Sequence, residues 1–508
     1  MTQTTQMMQT QTVLGQMIAR VADDEQYRRW AGQVERAGHC VRPVQLAGSA
    51  VTVNTGTGEV EATYTSRDEP GGVLLVACKD RRESVCPPCA ARYRADAWHV
   101  FAGGVTRAGL ADGHGDDDGD DGPDDGHDGG HDGGPAGSPM VLATFTAPSF
   151  GAVHAARDGK VCRAARGRRE RTCEHGRPLS CPARHAAGDG MVGAPLCVDC
   201  ADLAGQVLWN AHVGELWRRT VIYVYRALAA LAPAVGGQPV TVRGVRQLLR
   251  LSYAKVAEFQ KRGVVHLHVL ARLDGVCPDD PDRVVPAPAW AGTDLLTAAL
   301  MHAAGRVSVA LPVVDARTLA VARWGTQLDV RPVAPRQVDA ARVAGYLAKY
   351  ATKTVSDSVS GLPASRPADG GADLAQTRTL PAHVAALTQT VRRLARLATC
   401  RTLRLGRHVH TLGFRGHVTS KSRRYSTTFA ALRQARRAWR LAQRHRADDP
   451  WAHGTGPDSA EPDGARAVVG DWRIAGIGYR TLGDRVWAEV LGREHRQARQ
   501  AQRLGLTT

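Results

Sequence analysis

The stretch RLSYAKVAEFQKRGVVHLHVLARL, residues 250–273, constrains the fold of this chain more than any other. Apolar residues alternate on both sides of the tripeptide KRG, which reads as two strands joined by a three-residue turn, with Gly263 in the left-handed position that such a turn requires. That turn pairs Gln260 with Val264 and sets Glu258 directly opposite His266. Residues i and i+2 of a strand share a face, so His266 and His268 project together while Leu267 turns to the other side. A hairpin commits the chain to an antiparallel sheet. VLATFTA, ending at Pro148, and QLDVRPV supply further strands. Helical spacing runs through LAGQVLWNAHVGELWRRTVIYVYRALAAL, through Asp294 to Ala304, and through ARVAGYLAKYATKT. The order predicts an α+β fold, an antiparallel sheet covered by helices.

Glu258, His266 and His268 would bring one carboxylate and two imidazoles to one point with positions left open for substrate oxygens. Such a set suits Mg²⁺ or Mn²⁺ and is also compatible with Zn²⁺. Taken alone, His-x-His is more often an ordinary half-exposed strand. In VAGYLAKYATKT, Tyr346 and Tyr350 are four apart and share a helix face, flanked by Lys349 and Lys353. A tyrosine hydroxyl is a poor nucleophile unaided, but a nearby cation and a metal-polarised phosphate make in-line attack on phosphorus feasible. Two tyrosines would permit two successive attacks with the protein still linked to the strand. A Tyr-bearing core stripe has the same spacing.

The chain has eleven cysteines. CxxC occurs twice, as Cys86/Cys89 and Cys197/Cys200, and in a reducing compartment that spacing points to metal rather than disulfides. Cys40, Cys78, Cys86 and Cys89 would form one closed Zn²⁺ site. The second set is read as Cys173, Cys181, Cys197 and Cys200, with Cys162, His175 and His185 competing for places. Two structural zinc ions are therefore expected. They could contact DNA, or staple segments with too little core of their own.

The formal net charge is +17, although the tract from Ala111 to Pro139 holds ten Asp and no Lys or Arg. Such a surplus favours a polyanionic partner, nucleic acid before membrane. FRGHVTSKSRRY concentrates Arg415, Lys421, Arg423 and Arg424 ahead of an Arg-rich helix, a composition suited to phosphate contacts; a solvated basic face is the competing account. No run of about 18 apolar residues exists and the N-terminus lacks a signal-peptide pattern, so a cytoplasmic protein is expected. The predicted organisation is an N-terminal helix or arm (1–38), a Cys-rich zinc module (39–110) and a disordered Gly/Asp linker (111–139). A catalytic domain (140–355) with a zinc-binding insertion (160–201) follows, then a linker (356–380), a basic helical DNA-binding region (381–446), and a linker with a C-terminal helix (447–508).

The threonine-bearing strand, the HLH strand and the YLAKY helix occur in that order. With TFTAPSFG, CVRPVQLAG, EFQKRGVVHLHVLARLDG, GTQLDVRPV and GFRGHVTSKSRRYSTT, the chain resembles the HUH (His-hydrophobic-His) endonucleases, and among them the rolling-circle replication initiators of actinobacterial plasmids and integrative elements. The resemblance spans Cys40 to Thr428. It implies a five-stranded antiparallel sheet with the His pair on a central strand and a divalent cation, Mg²⁺ or Mn²⁺, that polarises the scissile phosphate. It also implies a tyrosine that joins the 5′-phosphate of origin single-stranded DNA and frees a 3′-OH for the host polymerase, with a host helicase as a further partner. By matching position Tyr350, following Lys349, is the first nucleophile, and Tyr346 takes the place of a second tyrosine. A two-tyrosine transposase of the same superfamily, or a non-catalytic zinc-dependent DNA-binding regulator, are the alternatives.

Overall fold

The structure, a computed structural model, describes residues 12–109, 138–165, 171–234, 238–316, 318–333, 337–353, 380–448 and 466–503. The linkers expected over 111–139 and 356–380, and the polar stretch before residue 466, fall outside these but for their edges. The chain forms two compact units, Met1–Ala95 with Ala430–Thr508, and Asp96–Phe429.

In the first unit, helices Val13–Val21 and Asp24–Arg36 precede β1 (Val44–Asn54), β2 (Val60–Thr65) and β3 (Leu74–Val76). β1 pairs antiparallel with β2, β3 and the late strand β11 (Arg466–Ile477). Helix Leu482–Arg503 follows β11, and its Trp487 packs edge-on to Tyr27 at 6.0 Å, beside Trp30 and Tyr479. Arg20 is paired with the buried Asp484 at 2.6 Å. Helix Asp24–Arg36, within the segment expected as an arm, thus shares one core with the C-terminal segment, expected as linker and helix. Val13–Val21 is tied to it through Arg20 and the Met17 carbonyl, which accepts from Trp487 Nε1. β11 escapes a reading by periodicity because Gly470 and Gly476 interrupt it and Val468, Val469, Ile474 and Ile477 stay exposed, so its apolar residues do not alternate.

The second unit is built on a five-stranded antiparallel sheet in the order β10 (Thr419–Lys421), β5 (Leu249–Phe259), β6 (Val265–Gly275), β4 (Met140–Phe145), β9 (Leu328–Pro332). A two-stranded ribbon, β7 (Val309–Ala310) with β8 (Val321–Ala322), stands apart from it. One face of the large sheet is apolar. Phe145, Leu267, Val269, Ala271 and Leu273 are buried there with helices Leu203–Leu231 and Thr293–Arg306, and Trp217 lies against both Phe145 (5.4 Å) and Tyr253 (5.0 Å). Helix Ala382–Arg396 adds Val384, Leu387, Val391 and Leu394 to this core. The segment expected as a separate basic region therefore contributes both a packed helix and the edge strand β10. Its amphipathic helix carries Arg392, Arg393 and Arg396 on the outer side, which masks the buried stripe in a count of charges.

The hairpin has the register its turn demands. Gln260 N–H donates to Val264 O, Gly263 adopts φ +81°, and Glu258 faces His266 across β5 and β6. Asn210, buried within helix Leu203–Leu231, clamps the turn: its amide donates to Gly263 O (2.9 Å) and Leu412 O (3.0 Å), and its oxygen accepts from Val265 N–H (3.2 Å).

Candidate functional site

Glu258, His266 and His268 lie on the sheet face opposite the apolar core, and helix Gln337–Ala351 packs over that face beside β5. Ala344, Leu347, Ala348 and Ala351 bury one side of this helix and so direct Tyr346 and Tyr350 toward β6. The Tyr350 ring stacks on the His268 ring at 4.9 Å and 26°, Tyr346 meets His268 edge-on at 5.5 Å, and the two phenol rings are 4.7 Å apart. Lys353 Nζ stands 4.4 Å from the Tyr350 ring centroid and 3.1 Å from Glu258 Oε1. Expected as a DNA contact, Lys353 lies at the centre of this cluster. Lys349 is exposed on the same helix.

Glu258 reaches diagonally to His268 rather than straight across to His266: its Oε2 lies 2.9 Å from His268 Nε2. Burial alone would raise the Glu258 pKa, but hydrogen bonds from His268 and Lys353 outweigh it and the net shift is downward, favouring the carboxylate. Thr144 on β4, paired with His268 in the sheet, places its hydroxyl 3.2 Å from His268 Nδ1 and so fixes the ring's orientation. His266 is pushed down to about 4, first by burial and then by Arg262 and His268, and its Nε2 is buried with no partner. A neutral imidazole with an orphaned nitrogen, beside a second imidazole and an ionised carboxylate, is donor chemistry that fits a divalent cation. Glu258 and His268 bond directly to each other here, and the trio is not among the described groups whose ligand atoms gather within 4.8 Å. Thr144 and Asn210 are the residues that reading by motif misses. In the sequence Thr144 shows only as part of a strand, and Asn210 as one polar residue in a helix.

Three Cys/His groups do gather within that distance. Cys40, Cys78, Cys86 and Cys89 form the first as expected, with Cys40–Cys86 and Cys78–Cys89 sulfurs 3.7 Å apart. The second expected set is divided. Cys173, Cys197 and Cys200 gather with His175, while Cys181 joins His154, Cys162 and His185. These groups are compatible with zinc, and among the described residues they number three rather than two. Cys277 and Cys400 belong to none of them.

Among the basic residues, Arg415 and Arg423 are exposed. Arg424 pairs with Asp282 at 2.6 Å, and Lys421 Nζ donates to the carbonyls of Ser422 (3.3 Å) and Arg423 (3.1 Å). No helix among the described residues is long and apolar enough to cross a membrane.

The profile of the RepSA family, described as the replication initiator protein of pSAM2, matches residues 26–493. A replication initiator protein of Streptomyces ambofaciens is 39% identical over 488 residues, covering 95% of this chain and 93% of its own length. No solved structure matches. The chain belongs to the RepSA family of replication initiator proteins.

Proposed function

We propose that this initiator cuts one strand of origin DNA through Tyr350 and later rejoins the ends with the help of Tyr346, as HUH nickases do. The observation that carries the reading is the packing of both tyrosines against His268, with Lys353 bridging Tyr350 and Glu258. The phenol oxygen of Tyr350 attacks phosphorus in line, its proton departs, and the bond to the 3′ oxygen breaks. That oxygen takes up a proton to leave a 3′-OH, and the 5′-phosphate stays on Tyr350. Lys353 favours the phenolate as it forms. Tyr346 is pushed above the usual tyrosine range by burial and by its hydrogen bond with Tyr350. At the end of a round Tyr346 cuts the regenerated site, and the freed 3′-OH displaces a phosphotyrosine to close the strand. Glu258, His266 and His268 would hold Mg²⁺ or Mn²⁺, which supplies charge neutralisation at the phosphate. Arg415 and Arg423 are available for backbone phosphates.

The test uses single-stranded origin DNA labelled on the 3′ side of the cut, with Mn²⁺ or Mg²⁺. Wild type should give a labelled protein that survives a denaturing gel, and His266→Ala should lose cleavage while retaining origin binding. No adduct in wild type, or one that persists in the Tyr346→Phe/Tyr350→Phe double variant, would refute the reading and favour a regulator that only binds DNA.

A further inference from the structure

We propose that the segment spanning residues 152–200 holds two zinc ions rather than one, and that the second, in His154, Cys162, Cys181 and His185, fixes the wall of a cleft against the turn of the β5–β6 hairpin.

A tetrahedral zinc site with ordinary bond lengths has edges of about 3.4 Å between nitrogens, about 3.6 Å between nitrogen and sulfur, and about 3.8 Å between sulfurs. In this group His154 Nδ1 and His185 Nε2 are 3.2 Å apart, Cys162 Sγ and His154 Nδ1 3.8 Å, and Cys181 Sγ and His185 Nε2 3.5 Å. The neighbouring group has the same dimensions, with His175 Nδ1 at 3.3 Å from Cys200 Sγ and 3.8 Å from Cys197 Sγ. Three edges of the group thus match those of a zinc tetrahedron, and all four donors lie within 4.8 Å of one another.

His185 also has the outer partner typical of a metal-bound imidazole. Its Nδ1 lies 2.6 Å from Asp189 Oδ2, and because a carboxylate only accepts, Nδ1 carries the hydrogen and Nε2 is left as the donor facing the centre. Asp189 is held in turn by Met191 N–H, at 2.8 Å to Oδ1. Among the described residues of 152–200 the buried hydrophobic side chains are Cys162, Cys181 and Cys197 alone, all of them within the two groups. A segment whose described interior is its ligands depends on the ions to fold.

His154, Ala155, Ala156, Ala187, Val192 and Gly193 line one side of a cleft of about 560 Å³, facing Gln260, Lys261 and Arg262 of the hairpin turn. Lys261 Nζ donates to Ala187 O. Gly193, at φ +94°, lies so close to the turn that a Cβ would stand 2.5 Å from Lys261 C. His154 N–H donates to Ala194 O, and Gly193 N–H returns to His154 O. Ligand His154 and the surface against the turn are therefore one piece of backbone.

Zinc counting on the purified full chain tests the assignment without DNA, so it stands apart from the proposed strand cutting. Wild type should carry three zinc ions and Cys162→Ser/Cys181→Ser one fewer. In that variant amide exchange at Lys261 to Val264 should speed up. Because loss of ligands could unfold the segment, Asp189→Asn is the second variant: it keeps every ligand, should retain full zinc, and should bind one of the ions about 10- to 100-fold more weakly in chelator competition. A Cys162→Ser/Cys181→Ser protein with as much zinc as wild type, or an Asp189→Asn protein with unchanged affinities, would overturn the proposal.

Discussion

Gly263 allows both the hairpin turn and its close packing: a Cβ there would meet Leu412 Cδ1 at 2.7 Å and Leu387 Cδ1 at 2.9 Å, on a backbone at φ +81°. Gly263→Ala should therefore destabilise the second unit by at least about 1–2 kcal/mol, read as a fall in Tm. Asn210→Ala should cost about 2 kcal/mol, since it leaves buried Gly263 and Leu412 carbonyls and the Val265 amide without a partner; denaturant titration measures it. Thr144→Val keeps shape and removes the hydroxyl at His268 Nδ1. If His268 holds the cation of the proposed nicking reaction, this should lower the nicking rate about 10- to 100-fold with origin binding intact, the usual cost of losing an outer partner of a ligand. His266, held near 4 against an ordinary 6.5, is neutral in the folded chain over an interval in which the unfolded chain takes up a proton. Its contribution is complete above 6.5 and declines as pH falls toward 4, so the wild-type unfolding midpoint should drop over that window more than that of His266→Gln. At this scale the sequence shows the facing of Glu258 and His266, because a three-residue turn dictates register. It does not show the diagonal bond to His268, because side-chain lean is set by the packed helix above.

Elements divide by whether one short-range rule decides them. The hairpin and the tyrosine helix obey strict periods of 2 and 3.6, and both lie where those periods put them. The cysteine segment obeys none. With CxxC in view four cysteines look sufficient, and His175 and His185 read as competitors, yet the pairing of ligands depends on how the chain doubles back. Here the backbone bonds Arg163–Cys181 and His154–Ala194 bring Cys181 to Cys162 and His154 instead of to Cys173. Sequence order carries no trace of that crossing. β10 is hidden for another reason: three residues long and lying within a basic stretch, it shows its strand character only through its pairing with Ala254, Lys255 and Val256.

At the scale of the molecule, the first unit is discontinuous in sequence. β1 pairs along its length with a strand more than four hundred residues later, and Trp30 is buried with Ala488 and beside Trp487. A chain ended before Arg466 should lose the near-ultraviolet signal of those tryptophans and aggregate through the exposed edge of β1, as seen by light scattering. Tyr479, whose hydroxyl donates to Cys40 O at 2.8 Å, would leave with it, so zinc at the Cys40 group should become easier to extract. The central claim remains that a particular tyrosine carries the DNA. After a single round on origin DNA, nuclease digestion, trypsin cleavage and mass spectrometry would locate the nucleotide adduct. The account predicts a 5′-phosphate on Tyr350. An adduct on Tyr346 alone, on another residue, or on none would contradict it.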